Sequence, residues 1–195
     1  MKPKEIRKFL HAHLGQQKKV RIQSKLPNEA VGYGYVIGLS ADWVLLRAFD
    51  DFNSEGYLIV RIAHIGEIRS GPLEEFWSRM LLAEGILKPQ ELDFKVSIEN
   101  ISAMLLDLRQ RGRNVIIECE DLEEPSSDFY IGQILDMDHE TVRFSNFDAM
   151  GEWDEEPSEI LLHEITKVQI DTPYCLLLSK YVNGPNPFPF LIEEK

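Results

Sequence analysis

The 195-residue sequence holds only two cysteines, Cys119 and Cys175. A pair that far apart builds neither a disulfide framework nor a metal-ligand spacing, so both read as reduced thiols. No apolar run approaches the roughly 20 residues that a membrane helix needs. The stretch from Ile6 to His13 is too polar for the apolar core of a signal peptide. These absences point to a cytoplasmic chain that makes no use of a membrane. Catalytic patterns are missing as well. The five histidines are scattered, and no motif places a Ser, His and Asp set or a Cys and His pair. His11 and His13, two residues apart, lie about 200° around a helix and do not chelate one ion together. The glycines at 32, 34 and 38 have the wrong spacing for a phosphate loop and run into a strand where a helix should begin. The chain therefore reads as non-enzymatic, without a cofactor.

Basic residues are scarce in one half only. Residues 1–97 contain 14 Lys and Arg against 12 Asp and Glu, whereas residues 98–195 contain 7 against 21. An acidic surface of that kind repels phosphates and attracts basic partners.

What is present is repetition. Gly132 to Asp148 lies over Gly34 to Asp50 without a gap: Ile134 falls on Val36, Leu135 on Ile37, Met137 on Leu39, Val142 on Val44, Phe144 on Leu46, and Phe147-Asp148 on Phe49-Asp50. Internal repetition at this length reads as a duplicated unit. It divides the chain into a first unit at 1–86, a linker at 87–96, a second and acidic unit at 97–182, and a Pro-rich tail at 183–195.

Each unit begins with a helix. Pro3 suits a first helical position, Ile6, Phe9, Leu10 and Leu14 follow at helical spacing, and Gly15 supplies the stop. In the second unit Ser97 is the expected N-cap of a helix over Ile98 to Arg111. Alternating strands follow from Lys19 and Val115, with Pro27-Asn28-Glu29 as a break and Gly34 as a bend. Loops are expected at Asp50–Gly56, Glu120–Asp128 and Gly151–Pro157. Gly71-Pro72 opens a helix with Leu73, Phe76, Trp77 and Met80 on one face, and Thr172-Pro173 caps and starts a last one. The expected core is Ile6, Phe9, Leu10, Val36, Leu39, Val44, Leu46, Ile62, Ile65 and Ile68, with Ile101, Leu105, Ile134, Met137, Val142, Phe144, Leu162, Ile165 and Val168.

A helix followed by five short strands, with a tight second-to-third turn, resembles the Sm-like fold, a small bent barrel of the SH3-like kind. Gly34, Val36, Leu39, Val44 and Leu46, and again Gly132, Ile134, Met137, Val142 and Phe144, are similar to the first Sm motif, with Asp138 where that motif carries its aspartate. The resemblance implies a mainly β fold of two tandem helix-plus-five-strand barrels. Its functional positions do not carry over. Ser40 replaces the aspartate in the first unit, neither turn has the RNA-contacting asparagine, and the second motif's Arg-Gly pair is missing near His64 and His163. The segments Gly151–Pro157 and Ser179-Lys180-Tyr181 are similar to segments of bacterial proteins of unknown function.

Between Glu118 and Glu159 fifteen acidic residues stand against one Arg, which makes this stretch the strongest candidate for a site. Glu120, Asp121, Glu123, Glu124, Glu152, Asp154, Glu155 and Glu156 are expected to form one acidic rim around Trp153. An aromatic ringed by charge suits a basic protein partner, as in an immunity-type inhibitor that covers a basic toxin. The competing reading is a solvated surface with Trp153 tucked against the core. Two further alternatives are a metal-dependent hydrolase using Asp136, Asp138 and Glu140 on one strand face, and an RNA-binding protein using Lys4, Arg7, Lys8, Lys18 and Lys19, which the net charge opposes.

Overall fold

The computed structural model describes residues 1–26, 30–123 and 126–188. The described residues form ten strands: β1 (Lys19–Ser24), β2 (Ala30–Leu39), β3 (Trp43–Asp50), β4 (Asn53–Arg61), β5 (Ile65–Arg69), β6 (Val115–Asp121), β7 (Ser126–Met137), β8 (Thr141–Asn146), β9 (Ser158–Leu161) and β10 (Lys167–Ile170). Some bury one face and others, such as β3, bury both. They form one antiparallel sheet in the order β5-β1-β2-β3-β4-β10-β6-β7-β8-β9. Four helices flank it, α1 (Pro3–His13), α2 (Pro72–Ala83), α3 (Ile101–Gln110) and α4 (Pro173–Leu178). The fold is mainly β, and the described strands close neither run of five on itself, because β4 bonds to β10 rather than back to β5.

Each run is nevertheless strongly bent. β4 and β5 are the outer strands of the first run, yet only the 3-10 turn Ile62–His64 separates them. Five flat strands would hold their outer members roughly 19 Å apart, whereas that turn spans about 8 Å. Two glycines permit the close approach of backbones that the bend requires. A Cβ on Gly34 would lie 2.5 Å from the Arg47 carbonyl oxygen, and one on Gly132, at φ 154°, would lie 1.9 Å from that of Ser145.

The apolar positions of the two runs fill two cores. Ile6 and Leu10 of α1 pack with Val20, Ile22, Val36, Val44, Leu46, Val60, Ile62, Ile65 and Ile68. Met104, Leu105 and Leu108 of α3 pack with Val115, Ile117, Ile134, Val142, Phe144, Ile160, Leu162, Ile165 and Val168. Val36 and Ile134 are 0% and 3% exposed, so the central expectation holds at both positions. Phe9, Leu39, Ile101 and Met137 are only partly buried, at the edges of these clusters. The second core also takes in Trp43, Leu45 and Ile59 from the other face of β3 and β4. Burying each contributes about 1.5–3 kcal/mol, and that energy ties the two halves together.

The segment expected to be a linker is likewise part of the packing. Leu87 is buried, and Phe94 stacks on Tyr57 with ring centroids 3.9 Å apart. Ile98 packs into the core, and the helix starts later than expected, with Asn100 as N-cap accepting from the Ala103 N–H at 2.9 Å. Ser97 instead donates its backbone N–H to Asp107 at 2.8 Å. Two expected loops are mostly strand. β4 starts at Asn53, opposite Asp50, and β6 runs on through Glu120 and Asp121. The break at Pro27-Asn28-Glu29 and the tail from Pro189 lie outside the described residues.

α2 turns only part of its expected apolar face inward, with Trp77 and Met80 half-buried. Glu74, Ser78 and Leu81 face inward, while Leu73 and Phe76 are 48% and 50% exposed. Its seat is polar: Ser78 Oγ accepts the Lys19 N–H at 2.9 Å, and Glu74 accepts the Gly71 N–H at 2.9 Å and pairs with Arg69 at 3.1 Å. The C-terminal end of the helix is seated on apolar groups instead, with Leu81 packed against Tyr35, Phe49 and Leu87.

Lys19 lies beside that helix with its ammonium 4.6 Å from the Trp77 ring centroid and 5.1 Å from that of Tyr33, donating to the Asp51 carbonyl oxygen at 2.7 Å. Burial lowers its pKa to about 8 from 10.5, against the opposing pull of Asp51, Asp50 and Glu74. Below pH 8 both folded and unfolded chains hold the proton. Between pH 8 and 10.5 only the unfolded chain does, so the Lys19 contribution to stability rises with pH across that window. Urea midpoints of wild type relative to Lys19→Met should therefore climb from pH 8 to 10. Parallel pH profiles would show that the amine is not desolvated.

Candidate functional site

The acidic residues expected in one rim occupy three environments. Glu120 is on β6 with its side chain fully buried, in an ion pair with Lys167 of β10 and 3.7 Å from His64. It belongs to the junction between the halves and is no part of an exposed rim. The extension of β6 into the expected loop is the reason, since it turns this carboxylate toward β10. Asp121 and Glu123 are exposed at the β6–β7 hairpin, and Glu124 lies outside the described residues. Glu152, Glu155 and Glu156 are exposed in the loop between β8 and β9.

The two loops do not converge along β7. Asp121 faces Ser126, whereas the second loop starts at Phe147, whose N–H donates to the Ile131 carbonyl oxygen at 3.0 Å. Ser126 to Ile131 along a strand is roughly 16 Å. The result is two acidic patches.

The second loop is held firmly. Asp148 Oδ1 accepts the N–H groups of Met150 at 2.8 Å and Glu152 at 3.0 Å, and Asp154 accepts from Asn146 at 2.9 Å. Trp153 is half-buried. Its ring lies edge-on to Phe147 at 5.3 Å, and it packs with a small cluster of Ile116, Ile131, Phe147 and Cys175. Trp153 thus packs partly against the core while its Nε1–H donates to the Gly184 carbonyl oxygen at 3.4 Å, and the carboxylates of Asp154 and Glu152 are tied to Asn146 and Asn183. Glu155 and Glu156 remain exposed, with no ion-pair partner among the described residues.

Asp136, Asp138 and Glu140 do not gather on one face. Asp136 is bound to Arg143 at 2.9 Å. Asp138 lies past the end of β7 and caps the turn, accepting the N–H groups of Thr141 at 2.7 Å and Glu140 at 2.8 Å. Those bonds hold its carboxyl below the usual range. No three His, Cys, Asp or Glu among the described residues are arranged to hold a metal ion.

The basic first half divides in the same way. Lys4, Arg7 and Lys8 share an open surface of α1, Lys18 stands 3.9 Å from Glu75, and Lys19 is buried. Four of the five expected cations therefore stay at the surface. Both cysteines are free thiols, and burial, reinforced by Glu164, Asp128 and Glu118, pushes that of Cys119 up to about 12, which leaves it protonated and a poor nucleophile. No described helix is long and apolar enough to cross a membrane.

The most concentrated buried chemistry was not legible from composition. Lys167, 7% exposed at its side chain, bridges Glu118 at 3.3 Å and Glu120, and Gln169 donates to Glu118. The only sequence signal is Glu118 and Glu120 two apart on a strand, hence on one face. No family model, curated protein or solved structure matches the chain.

Proposed function

We propose that this is a non-enzymatic binding protein built from two Sm-like modules, with the acidic second module engaging a basic protein partner. The equivalent strand orders β5-β1-β2-β3-β4 and β10-β6-β7-β8-β9 support the modular reading, as do the matching close approaches at Gly34 and Gly132. The observation that carries the functional reading is the firmly held β8–β9 loop, which presents Glu155 and Glu156 uncompensated beside Glu152. Charge of one sign on an ordered loop steers a partner of the opposite sign and loses force as salt screens it.

The loop also dictates the test. Asp154 and Trp153 support its shape, so Glu152→Gln, Glu155→Gln and Glu156→Gln are changed together and those two are left alone. In a pull-down from the native host, a basic partner should be captured about tenfold less well by the triple variant, on the order of 0.5 kcal/mol for each exposed charge. The wild type should lose the same partner as salt rises. Equal capture by both proteins at low and high salt would reduce the loop to a solvated surface.

A further inference from the structure

Two cations face each other across one pair of strands. β1 and β5 run antiparallel with Arg21 opposite Arg69 and Gln23 opposite Glu67. Val20, Ile22 and Ile68 are buried, so alternation turns those four residues to the outer face, where they line a cleft of about 80 Å³. Like charges directly opposite each other destabilise a sheet, and the position does not call for them. In the modular reading Ile68 faces Ile22 as Val168 faces Ile117. The corresponding pairs on β10 and β6 are Gln169 with Ile116 and Lys167 with Glu118, the second an ion pair at 3.3 Å.

Both guanidinium groups are held in place. Tyr33 stands opposite Arg21 on β2, and its ring centroid lies 5.6 Å from the Arg21 guanidinium. Arg69 Nε donates to Glu74 at 3.1 Å, and Glu74 is itself fixed by the Gly71 N–H at 2.9 Å. The two differ in what answers their charge. Arg69 has Glu74. Arg21 is half-buried, its Nε is shielded from solvent, and it has neither a hydrogen-bond nor an ion-pair partner among the described residues. A shielded N–H of a charged group is costly without an acceptor. One residue before Glu67, the Gly66 carbonyl oxygen accepts from the Met1 ammonium at 3.0 Å, which adds positive charge to this edge.

We propose that the cleft between Arg21 and Arg69 binds a phosphate dianion, as inorganic phosphate or as the phosphate of a small monoester. Arg21 offers Nε and a terminal nitrogen as a fork, Arg69 its terminal nitrogens, and Gln23 its side-chain amide. A carboxylate carries one charge and is satisfied by one such fork. A phosphate monoester brings about −1.5 to −2 charge at pH 7 and three acceptor oxygens, which suits two guanidinium groups. A single water needs about 10–15 Å³ of such space, so the cleft takes a small anion and leaves whatever the phosphate carries outside. Glu67 limits the affinity, because its exposed carboxylate lines the cleft and opposes the ligand. The site belongs to the first module and is independent of the acidic loop on the second.

Amide chemical shifts of the full chain, titrated in a chloride buffer free of phosphate, test the proposal. Inorganic phosphate and glycerol phosphate should each give saturable shifts centred on β1 and β5, and whichever binds more tightly names the source. Acetate and dimethyl phosphate, with one charge each, should bind about tenfold more weakly. Arg21→Lys keeps the charge but loses the fork, and should weaken phosphate binding about tenfold with the rest of the spectrum unchanged. Glu67→Gln removes the opposing charge and should tighten it about two- to fivefold. Lys4→Gln, Arg7→Gln and Lys8→Gln together should leave it unaltered. The proposal is overturned by the lack of saturable shifts at β1 and β5, or by shifts that spread over α1 and vanish in that triple variant. Dimethyl phosphate binding as tightly as the dianions overturns it too, as does an affinity untouched by both Arg21→Lys and Glu67→Gln.

Discussion

Lys167→Met is expected to cost about 3–5 kcal/mol of folding stability, because it leaves two carboxylates inside the junction without their cation. Lys167 Nζ lies against Glu120, whose side chain is fully buried, and 3.3 Å from Glu118. A methionine fills the space of the lysine stem but answers neither charge. Urea unfolding measures the loss, and the double variant Lys167→Met with Glu120→Gln supplies the control. Removing the deeper carboxylate along with the cation should recover more than half of the loss, since an uncompensated charge costs more than a pair removed together. A loss below about 1 kcal/mol would place Lys167 in the range of surface pairs and show the junction to be hydrated. β10 pairs on one side with β4 and on the other with β6, so the weakening should appear as one transition for both halves.

Gly132→Ala should cost about 2–6 kcal/mol, the sum of two effects of about 1–3 kcal/mol each. One is a backbone conformation that L side chains rarely adopt, at φ 154°. The other is the collision of a new Cβ with a carbonyl oxygen 1.9 Å away on β8. That oxygen belongs to Ser145, inside a paired strand, and cannot move without breaking the β7–β8 ladder. Gly34→Ala should cost less, about 1–3 kcal/mol, because its φ is ordinary and its nearest oxygen is 2.5 Å away. Gly112→Ala, at φ 61° with nothing within 4 Å, should cost about 1 kcal/mol from backbone strain alone. Thermal or urea midpoints that rank the three in another order would mean that the bends are not held by these close approaches.

Legibility along the chain follows the range of the interaction concerned. α1 starts at Pro3 and is followed by Gly15 at φ 69°, and α4 starts at Pro173 behind Thr172, whose side chain accepts the Cys175 N–H at 3.0 Å. These are contacts within a few residues, and the residues that make them are adjacent in the sequence. Val36, Val44, Leu46, Ile134, Val142 and Phe144 were legible as positions sharing one face because successive strand side chains point to opposite faces, although β3 buries its other face as well. The helix over Ile101–Gln110 was displaced by three residues because Ile98 had a tertiary use that outweighed the local cap offered by Ser97.

The site was less legible than the fold. Charge density along the sequence located the acidic stretch, and Glu155 and Glu156 are exposed as expected. Composition has no direction, however. The same count included Glu120, which β6 turns inward, Asp136, which Arg143 holds, and Asp138, which caps its own turn. The basic stretch contained Lys19, which lies buried under Trp77.

By itself the sequence determined most of the strands, the bend at Gly34 and the uneven charge, because alternation, glycine and net charge act locally or as sums. Only the tertiary structure decided that β4 would bond to β10, that Trp43, Leu45 and Ile59 would join the second core, and that α2 would turn Glu74 and Ser78 inward. Those outcomes depend on which surface arrives opposite which. Residues from about sixty to more than a hundred positions apart settle that, and no window of neighbouring residues contains both sides of it.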